Sequence, residues 1–134
     1  MRLLLDTHIV LWYIADDPRL NDNAKTWISS GENAVYYSLV SLWEVAIKHQ
    51  NNMRAMPLSD EEFAEYAERS GMRPLGLSRE HIAALKTLRR DASVKEHHDP
   101  FDRMLICQAK VENMLFMTHD RILQGYGEAC VLVV

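Results

Sequence analysis

The chain has 134 residues, a length that suits one compact domain with a substantial hydrophobic core. Its 48% hydrophobic and 25% charged residues are ordinary for a globular protein and argue against a disordered or fibrous chain. The net charge of −4 does not indicate a general nucleic-acid binder, and the apolar runs are too short to cross a bilayer. A local phosphate-binding rim stays possible, because four basic residues lie close together in the sequence: Lys86, Arg89, Arg90 and Lys95.

The N-terminus and the cysteines both favour a reducing, cytoplasmic location. The apolar stretch Leu3–Leu5 resembles the start of a signal peptide, but Asp6 interrupts it and no small-residue cleavage site follows. Cys107 and Cys130 are far apart in apolar segments, so we expect two reduced thiols rather than a disulfide or a thiolate metal site.

The first half of the chain alternates apolar strands with helices. Arg2–Leu5 reads as a buried strand, and Thr7 or His8 opens a helix that includes residues 9–15. A second helix is predicted over residues 21–29, with Trp27 and Ile28 facing inward. A strand follows at residues 34–37, and Ser41 with Glu44 has the spacing of a capping box that opens a helix to about residue 50.

The second half continues the alternation. Ser59 and Glu62 repeat the capping-box spacing and open a helix that ends near Gly71, followed by a short extended piece at residues 72–77. Ser78 caps a further helix to about Arg89, and residues 91–98 read as a loop. The remaining predicted elements are a helix from Asp99-Pro100 to about residue 113, a strand at 115–117, a short helix at 120–124 and a last strand at 130–133.

This order of elements predicts an α/β fold. Continuous apolar strands separated by helices are typical of a mainly parallel sheet covered on both faces, so we expect a three-layer α/β/α sandwich. In such sheets ligands collect beyond the carboxyl ends of the strands, where the strand order reverses.

Four acids lie next to apolar, core-forming sequence. They are Asp6, Glu44, Asp102 and Asp120. Buried carboxylates need a compensating cation or hydrogen bonds, so convergence of these four would create a site for a hard divalent cation. Asp6 and Asp120 follow predicted strands, whereas Glu44 and Asp102 lie in the first turns of predicted helices.

Each acid also has a purely structural interpretation. Asp6 and Asp120 could cap the helices that follow them, and Asp102 could favour the dipole of a helix capped by Asp99. Glu44 could form an i,i+4 ion pair with Lys48. Its apolar neighbours nevertheless predict that Glu44 is buried and in need of a cation.

Four sequence blocks together resemble a known family. They are Asp6-Thr7-His8 after the first strand, the block Ser41–Lys48 (SLWEVAIK), the block His97–Ile106 (HHDPFDRMLI) and Thr118-His119-Asp120. In this order they resemble PIN-domain proteins, and more closely the VapC-like toxins of bacterial type II toxin–antitoxin pairs. The resemblance covers essentially the whole chain and implies a single PIN-like domain over residues 1–134.

The resemblance implies a metal-dependent ribonuclease that uses Mg²⁺ or Mn²⁺. Its acidic quartet corresponds to Asp6, Glu44, Asp102 and Asp120, which would be both metal ligands and catalytic residues. Supporting roles fall to Thr7, Asp99 and Thr118, with Ser38 or Ser41 as possible contacts to substrate or bound water, and His97 and His98 as possible phosphate contacts or a general acid.

The resemblance also implies partners. These are an RNA substrate, a cognate antitoxin that would bind near the apolar first helix, and a second copy of the chain in a homodimer. An inactive PIN-like module that binds RNA or protein without cleaving is the alternative. A receiver or haloacid-dehalogenase-type phosphotransfer domain is disfavoured, because Asp6-Thr7-His8 lacks the second aspartate that follows the first strand in those folds.

Overall fold

The computed structural model of the chain describes residues 1–89 and 99–134. The predicted loop at 91–98, with Arg90, Lys95, His97 and His98, lies outside the described residues. Within these two ranges no helix is both long and apolar enough to pass through a lipid bilayer.

Five parallel strands form one sheet at the centre of the molecule. Its strand order is β3-β2-β1-β4-β5, and every neighbouring pair is parallel. The strands are β1 (Arg2–Leu5), β2 (Ala34–Ser38), β3 (Arg73–Leu75), β4 (Leu115–Thr118) and β5 (Val131–Val133). The chain builds outward from β1 on one side and restarts beside it with β4, so the strand order reverses between β1 and β4.

Helices connect the strands. They are α1 (Thr7–Ile14), α2 (Asp22–Ser29), α3 (Leu39–Asn51), α4 (Asp60–Arg69), α5 (Arg79–Ala83) and α6 (Pro100–Glu112), with 3-10 turns at Ala84–Thr87 and Arg121–Tyr126. The capping box predicted at Ser59 and Glu62 is present at the start of α4. Asp99 caps α6 with Pro100 in the first turn, as the sequence predicted.

The core lies on both faces of the sheet. Successive residues of a strand point to opposite faces, so Leu3 and Leu5 belong to one hydrophobic cluster and Leu4 to another, all three fully buried. Phe63 of α4 packs in the first cluster and Ile106 of α6 in the second. The predicted three-layer α/β/α fold with a parallel sheet is therefore confirmed.

Several local predictions are wrong in instructive ways. The N-cap of α3 is Ser38 rather than Ser41, because Ser38 leaves β2 in extended conformation and its hydroxyl accepts the amide of Val40. The helix after Ser78 ends at Ala83, not near Arg89, and tightens into the 3-10 turn before Leu88 becomes extended.

Trp27, which is predicted to face inward, is exposed, and so is Trp43 on α3. Trp27 is 38% exposed while Ile28 beside it is buried, because neighbours on a helix lie about 100° apart and cannot face the same way. The apolar neighbours of Glu44 on α3 are buried only in part: Trp43 is 61% exposed, and its ring meets that of Phe101 edge to face. The predicted helix at 120–124 is the 3-10 turn Arg121–Tyr126.

Candidate metal centre

The structure places Asp6 and Asp120 on either side of the point where the strand order reverses. Asp6 follows β1 directly, and its amide donates to the Met117 carbonyl of β4 at 2.9 Å. Its carboxylate is 6% exposed and accepts two hydrogen bonds of 2.7 Å, from the amide of Thr7 and from the hydroxyl of Thr118. Asp6 is thus held in one orientation at the carboxyl end of the central strands.

Thr118 links the two acids. Its fully buried hydroxyl donates to Asp6 and accepts the amide of Asp120 at 3.1 Å. One oxygen of Asp120 accepts the amide of Ile122 at 3.0 Å, at the start of the 3-10 turn. Asp6 and Asp120 therefore do cap the elements that follow them, as the structural interpretation predicted. Both capping carboxylates lie at the edge of the sheet.

Glu44 is buried, as predicted, but both of its oxygens already have partners. Oε1 accepts the Thr7 hydroxyl at 2.7 Å, and Oε2 lies 2.5 Å from the ammonium of Lys48 one turn further along α3. The Thr7 hydroxyl also lies 2.9 Å from that of Ser41. The i,i+4 ion pair foreseen as the alternative is thus present, with Glu44 3% exposed.

Asp102 lies in the first turn of α6, where Asp99 forms the cap. One oxygen of Asp99 accepts the amides of Phe101 and Asp102 at 2.8 and 3.1 Å. Burial and, to a lesser extent, the charges of four neighbouring carboxylates together raise the pKa of Asp102 to about 8; these are Asp6, Asp99, Glu44 and Asp120. The other predicted acids therefore lie near enough to Asp102 at this edge of the sheet for their charges to disfavour its ionised form.

The pKa values of Asp6 and Lys48 are also shifted by the neighbouring carboxylates. Burial raises the pKa of Asp6, and the charge of Glu44 adds to that effect, although the hydrogen bonds from Thr118 and Thr7 oppose it. Burial acts to lower the pKa of Lys48, but its bond to Glu44 and the charges of Asp99 and Asp102 raise it overall. Lys48 therefore supplies one positive charge at an edge that holds several carboxylates.

The donor set suits a hard divalent cation that keeps part of its water shell. Among residues 1–89 and 99–134 no three His, Cys, Asp or Glu side chains come close enough together to surround an ion. Mg²⁺ usually binds through one or two carboxylates and retains several waters, so a closed cage is not required. Asp6 and Asp102, whose carboxyl groups are made less acidic by burial, are the residues that gain most from a neighbouring positive charge.

Not every predicted residue reaches this edge. Ser38 instead donates to Gln108 at 2.5 Å, and Gln108 in turn donates to the Gly76 carbonyl, so this buried pair joins α3 to α6. Thr7, Thr118, Asp99 and Ser41 do lie among the acids. The sequence analysis missed Gln108, whose buried position on α6 has no distinguishing motif.

Together these observations define a parallel α/β domain with a carboxylate cluster where the strand order reverses. The sequence model of the PIN domain family matches residues 3–129, and the chain belongs to that family. PIN domains are generally nucleases. The predicted membership is thus confirmed.

A solved structure supports the same assignment. The chain is similar to one chain of the crystal structure of VapBC2 from Rickettsia felis bound to a DNA fragment from their promoter. The TM-score is 0.67 at 15% identity, covering 100% of this chain and 98% of the other. At that identity the match shows a shared fold. No curated protein sequence matches this chain significantly.

Proposed function

We propose that this protein is a divalent-metal-dependent endoribonuclease and the toxin of a toxin–antitoxin pair. The observation that carries the proposal is the burial of Asp102 beside four other carboxylates at the sheet edge, which together raise its pKa to about 8. A structural carboxylate gains nothing from such repulsion, whereas a cation site uses it, because bound positive charge relieves it. Family membership supplies the nuclease class.

Asp6 and Asp102 are the proposed principal ligands, with Asp120 beside them. When bound, Mg²⁺ or Mn²⁺ supplies positive charge to a phosphodiester and lowers the pKa of a coordinated water. Thr118 holds the carboxylate of Asp6 in place and fixes the backbone of Asp120. Such partners of ligands tune affinity through orientation.

Glu44 has a different proposed role from the one that the resemblance implied. Because Thr7 and Lys48 engage both of its oxygens, Glu44 would act on the cation through space or through water. Lys48 then limits the negative charge that an RNA phosphate meets on approach. A cytoplasmic location and a role for Asp99 in positioning Asp102 belong to the same proposal.

The partners are proposed on the same basis. The similar structure is that of a VapBC2 assembly, which favours a cognate antitoxin for this chain as well. A homodimer is proposed from the resemblance. Light scattering of the purified protein, with and without a co-expressed antitoxin, would measure both assemblies directly.

Two observations favour the second candidate, a PIN-like module that binds RNA or protein without cleaving it. Glu44 is neutralised by Lys48, and the described residues contain no group of three ligands around one point. A site that had lost its cation would show these features. The two candidates differ in one measurable property, which is metal-dependent hydrolysis.

The deciding experiment is cleavage of a mixed RNA pool by antitoxin-free protein with Mg²⁺, Mn²⁺ or EDTA. We expect cleavage with metal, none in EDTA, and a loss of at least about 100-fold in Asp102→Asn, since even partners of metal ligands are worth 10- to 100-fold. Asp22→Asn, an exposed acid in the first turn of α2, is the matched control and should cleave normally.

Three results would contradict the proposal. Cleavage that persists in EDTA would exclude a metal mechanism. Equal cleavage by wild type and Asp102→Asn would place the chemistry elsewhere or in a contaminant. RNA binding by folded wild type without cleavage under any metal would favour the binding module.

A further inference from the structure

A small cavity beside the acidic edge is lined by ring side chains as well as by carboxylates. It has a volume of about 280 Å³ and is lined by two of the acids and three ring side chains: Asp6, Asp120, His8, Trp12 and His119. His8 and Trp12 lie on α1, the helix that begins immediately after Asp6. His119 lies between Thr118 and Asp120 in the sequence. The same two chain segments that present the acids therefore also present the rings.

The three rings form one continuous group. The rings of Trp12 and His119 meet edge to face, with centroids 5.0 Å apart and planes at 73°. The ring of His8 lies 6.1 Å from that of Trp12 at 56°. Trp12 and His119 come from opposite sides of the strand-order reversal, so the fold itself brings the rings together.

Neighbouring residues hold the rings in place. The guanidinium of Arg19 lies 5.0 Å from the Trp12 ring centroid, a cation–π contact, and is itself fixed by two hydrogen bonds to Asp17, of 3.1 and 2.7 Å. His119 Nδ1 lies 2.7 Å from the Val134 carbonyl oxygen. That oxygen only accepts, so Nδ1 carries the proton and the imidazole plane is defined.

We propose that this cavity is a nucleobase-binding subsite that takes the base of a nucleotide next to the scissile phosphate. The inference rests on the proposed nuclease function and adds to it a means of holding the substrate. Aromatic and imidazole rings bind unstacked bases through their faces without reading sequence. The cavity is smaller than those that enclose drug-sized ligands, which range from about 300 to 1,000 Å³, and suits a single planar group.

Charge explains why a stacked base is useful here. A carboxylate edge repels the phosphates on both sides of a cleavage point, so part of the binding of RNA must come from contacts with its bases. Because the three ring planes are tilted by 56° and 73°, a base stacks on one ring and meets the edges of the others, directly beside Asp6 and Asp120. Anchored rings lose little conformational freedom when a base binds, which favours affinity.

The test compares substrates that differ by a single base. A short RNA with one cleavage site is prepared intact and with an abasic residue on either side of that site. For wild type, we expect the abasic residue at one of the two positions to lower kcat/KM by roughly 5- to 100-fold, the usual size of base–aromatic stacking. In Trp12→Leu and in His8→Ala, the ratio of kcat/KM for the intact RNA to kcat/KM for that abasic RNA should be close to 1.

Controls separate a lost subsite from a damaged fold. Trp27→Leu removes a half-exposed tryptophan from α2 and should keep the wild-type ratio. Because Trp12 also packs against core residues, His8→Ala, at an exposed position of α1, gives an independent result if Trp12→Leu folds poorly.

The outcomes also separate this inference from the proposed function. A wild-type ratio near 1 at both positions, or a ratio unchanged in both variants, would overturn the subsite while leaving the nuclease intact. If no RNA is cleaved, fluorescence anisotropy measures the affinities of the protein for the intact and abasic RNAs instead. The subsite predicts weaker binding of one abasic RNA by wild type, and no such difference in the two variants. Binding of N-acetylarginine amide that depends on Trp12, without any base preference, would assign the rings to a protein partner and overturn the inference.

Discussion

At the scale of single residues, the Thr118 hydroxyl has two bonds that connect the acids across the sheet. It donates to Asp6 and accepts from the amide of Asp120, and it is fully buried. Thr118→Val keeps the shape but leaves both partners unsatisfied, so we expect a loss of about 1–3 kcal/mol in the free energy of unfolding. Metal affinity should fall by roughly 10- to 100-fold, since Asp6 would lose its orientation.

Urea denaturation and metal titration measure these two effects. Thr26→Val is the matched control, because the exposed Thr26 hydroxyl bonds only to a carbonyl of its own helix. That variant should retain wild-type metal affinity. Unchanged metal affinity in Thr118→Val would contradict the assigned role of the threonine.

Asp102 should make the stability of the metal-free protein depend on pH. Its pKa of about 8 in the folded state exceeds the value of 3.8 for an exposed carboxyl, so folding is favoured by the protonated form. This contribution is complete below pH 4 and is lost as pH rises towards 8. In EDTA, we expect the free energy of unfolding to fall by on the order of 4 kcal/mol between pH 5 and pH 8, which is about 1.4 kcal/mol for each pH unit.

Asp102→Asn tests the source of that dependence. Its neutral amide cannot ionise, so the variant should lose much less stability over the same interval, although Asp6 contributes in the same direction. Urea midpoints at the two pH values give the comparison. Identical pH dependence in wild type and Asp102→Asn would show that Asp102 is not the titrating group.

The sequence indicated which residue types matter but not what each would contact. Acids beside apolar runs predicted the cluster, since a buried charge needs a reason. The sequence could not show that Lys48 would pair with Glu44, or that four other carboxylates would lie near Asp102, because the second outcome depends on how α3 and α6 meet. The ring group of His8, Trp12 and His119 likewise depends on two segments that are distant in sequence.

At the scale of elements, the start of α3 connects secondary structure to the site. Ser38 caps this helix and also donates to Gln108 of α6, while Glu44 lies further along α3. Ser38→Ala should cost about 1–2 kcal/mol in unfolding free energy through loss of the cap. It should also lower RNA cleavage, because α3 and α6 carry Glu44 and Asp102.

Ser59→Ala provides the comparison for this prediction. Ser59 caps α4 in a capping box and contacts none of the acids, so its loss should cost a similar amount of stability without affecting cleavage. Chemical denaturation and initial cleavage rates distinguish the variants. Equal cleavage rates in both would show that α3 is positioned by other contacts.

Helix starts show where sequence reasoning stops. Ser38 and Ser41 are both followed by helix-forming residues, and the Ser41–Glu44 spacing satisfies a capping box as well as Ser59–Glu62 does. At Ser59 the pattern forms the predicted cap, whereas on α3 the helix has already begun and Ser41 faces Thr7 in the interior. The helix begins at Leu39 because Ser38, the last residue of β2, is itself a good N-cap.

At the scale of the whole molecule, the sheet order brings the acids to one edge. Alternating strands and helices were enough to predict a parallel three-layer fold. They could not show that β4 would return beside β1, and this pairing alone makes Thr118 a neighbour of Asp6. The proposal that this edge binds a divalent cation depends on that topology.

Calorimetric titration with Mg²⁺ or Mn²⁺ at pH 7, in buffers of different ionisation enthalpy, tests this claim most directly. Because Asp102 has a pKa of about 8 and metal binds only the ionised carboxylate, binding to wild type should release close to one proton. Asp102→Asn should bind far more weakly and release little. Undiminished binding in that variant, or no binding by folded wild type, would contradict a cation site at this edge.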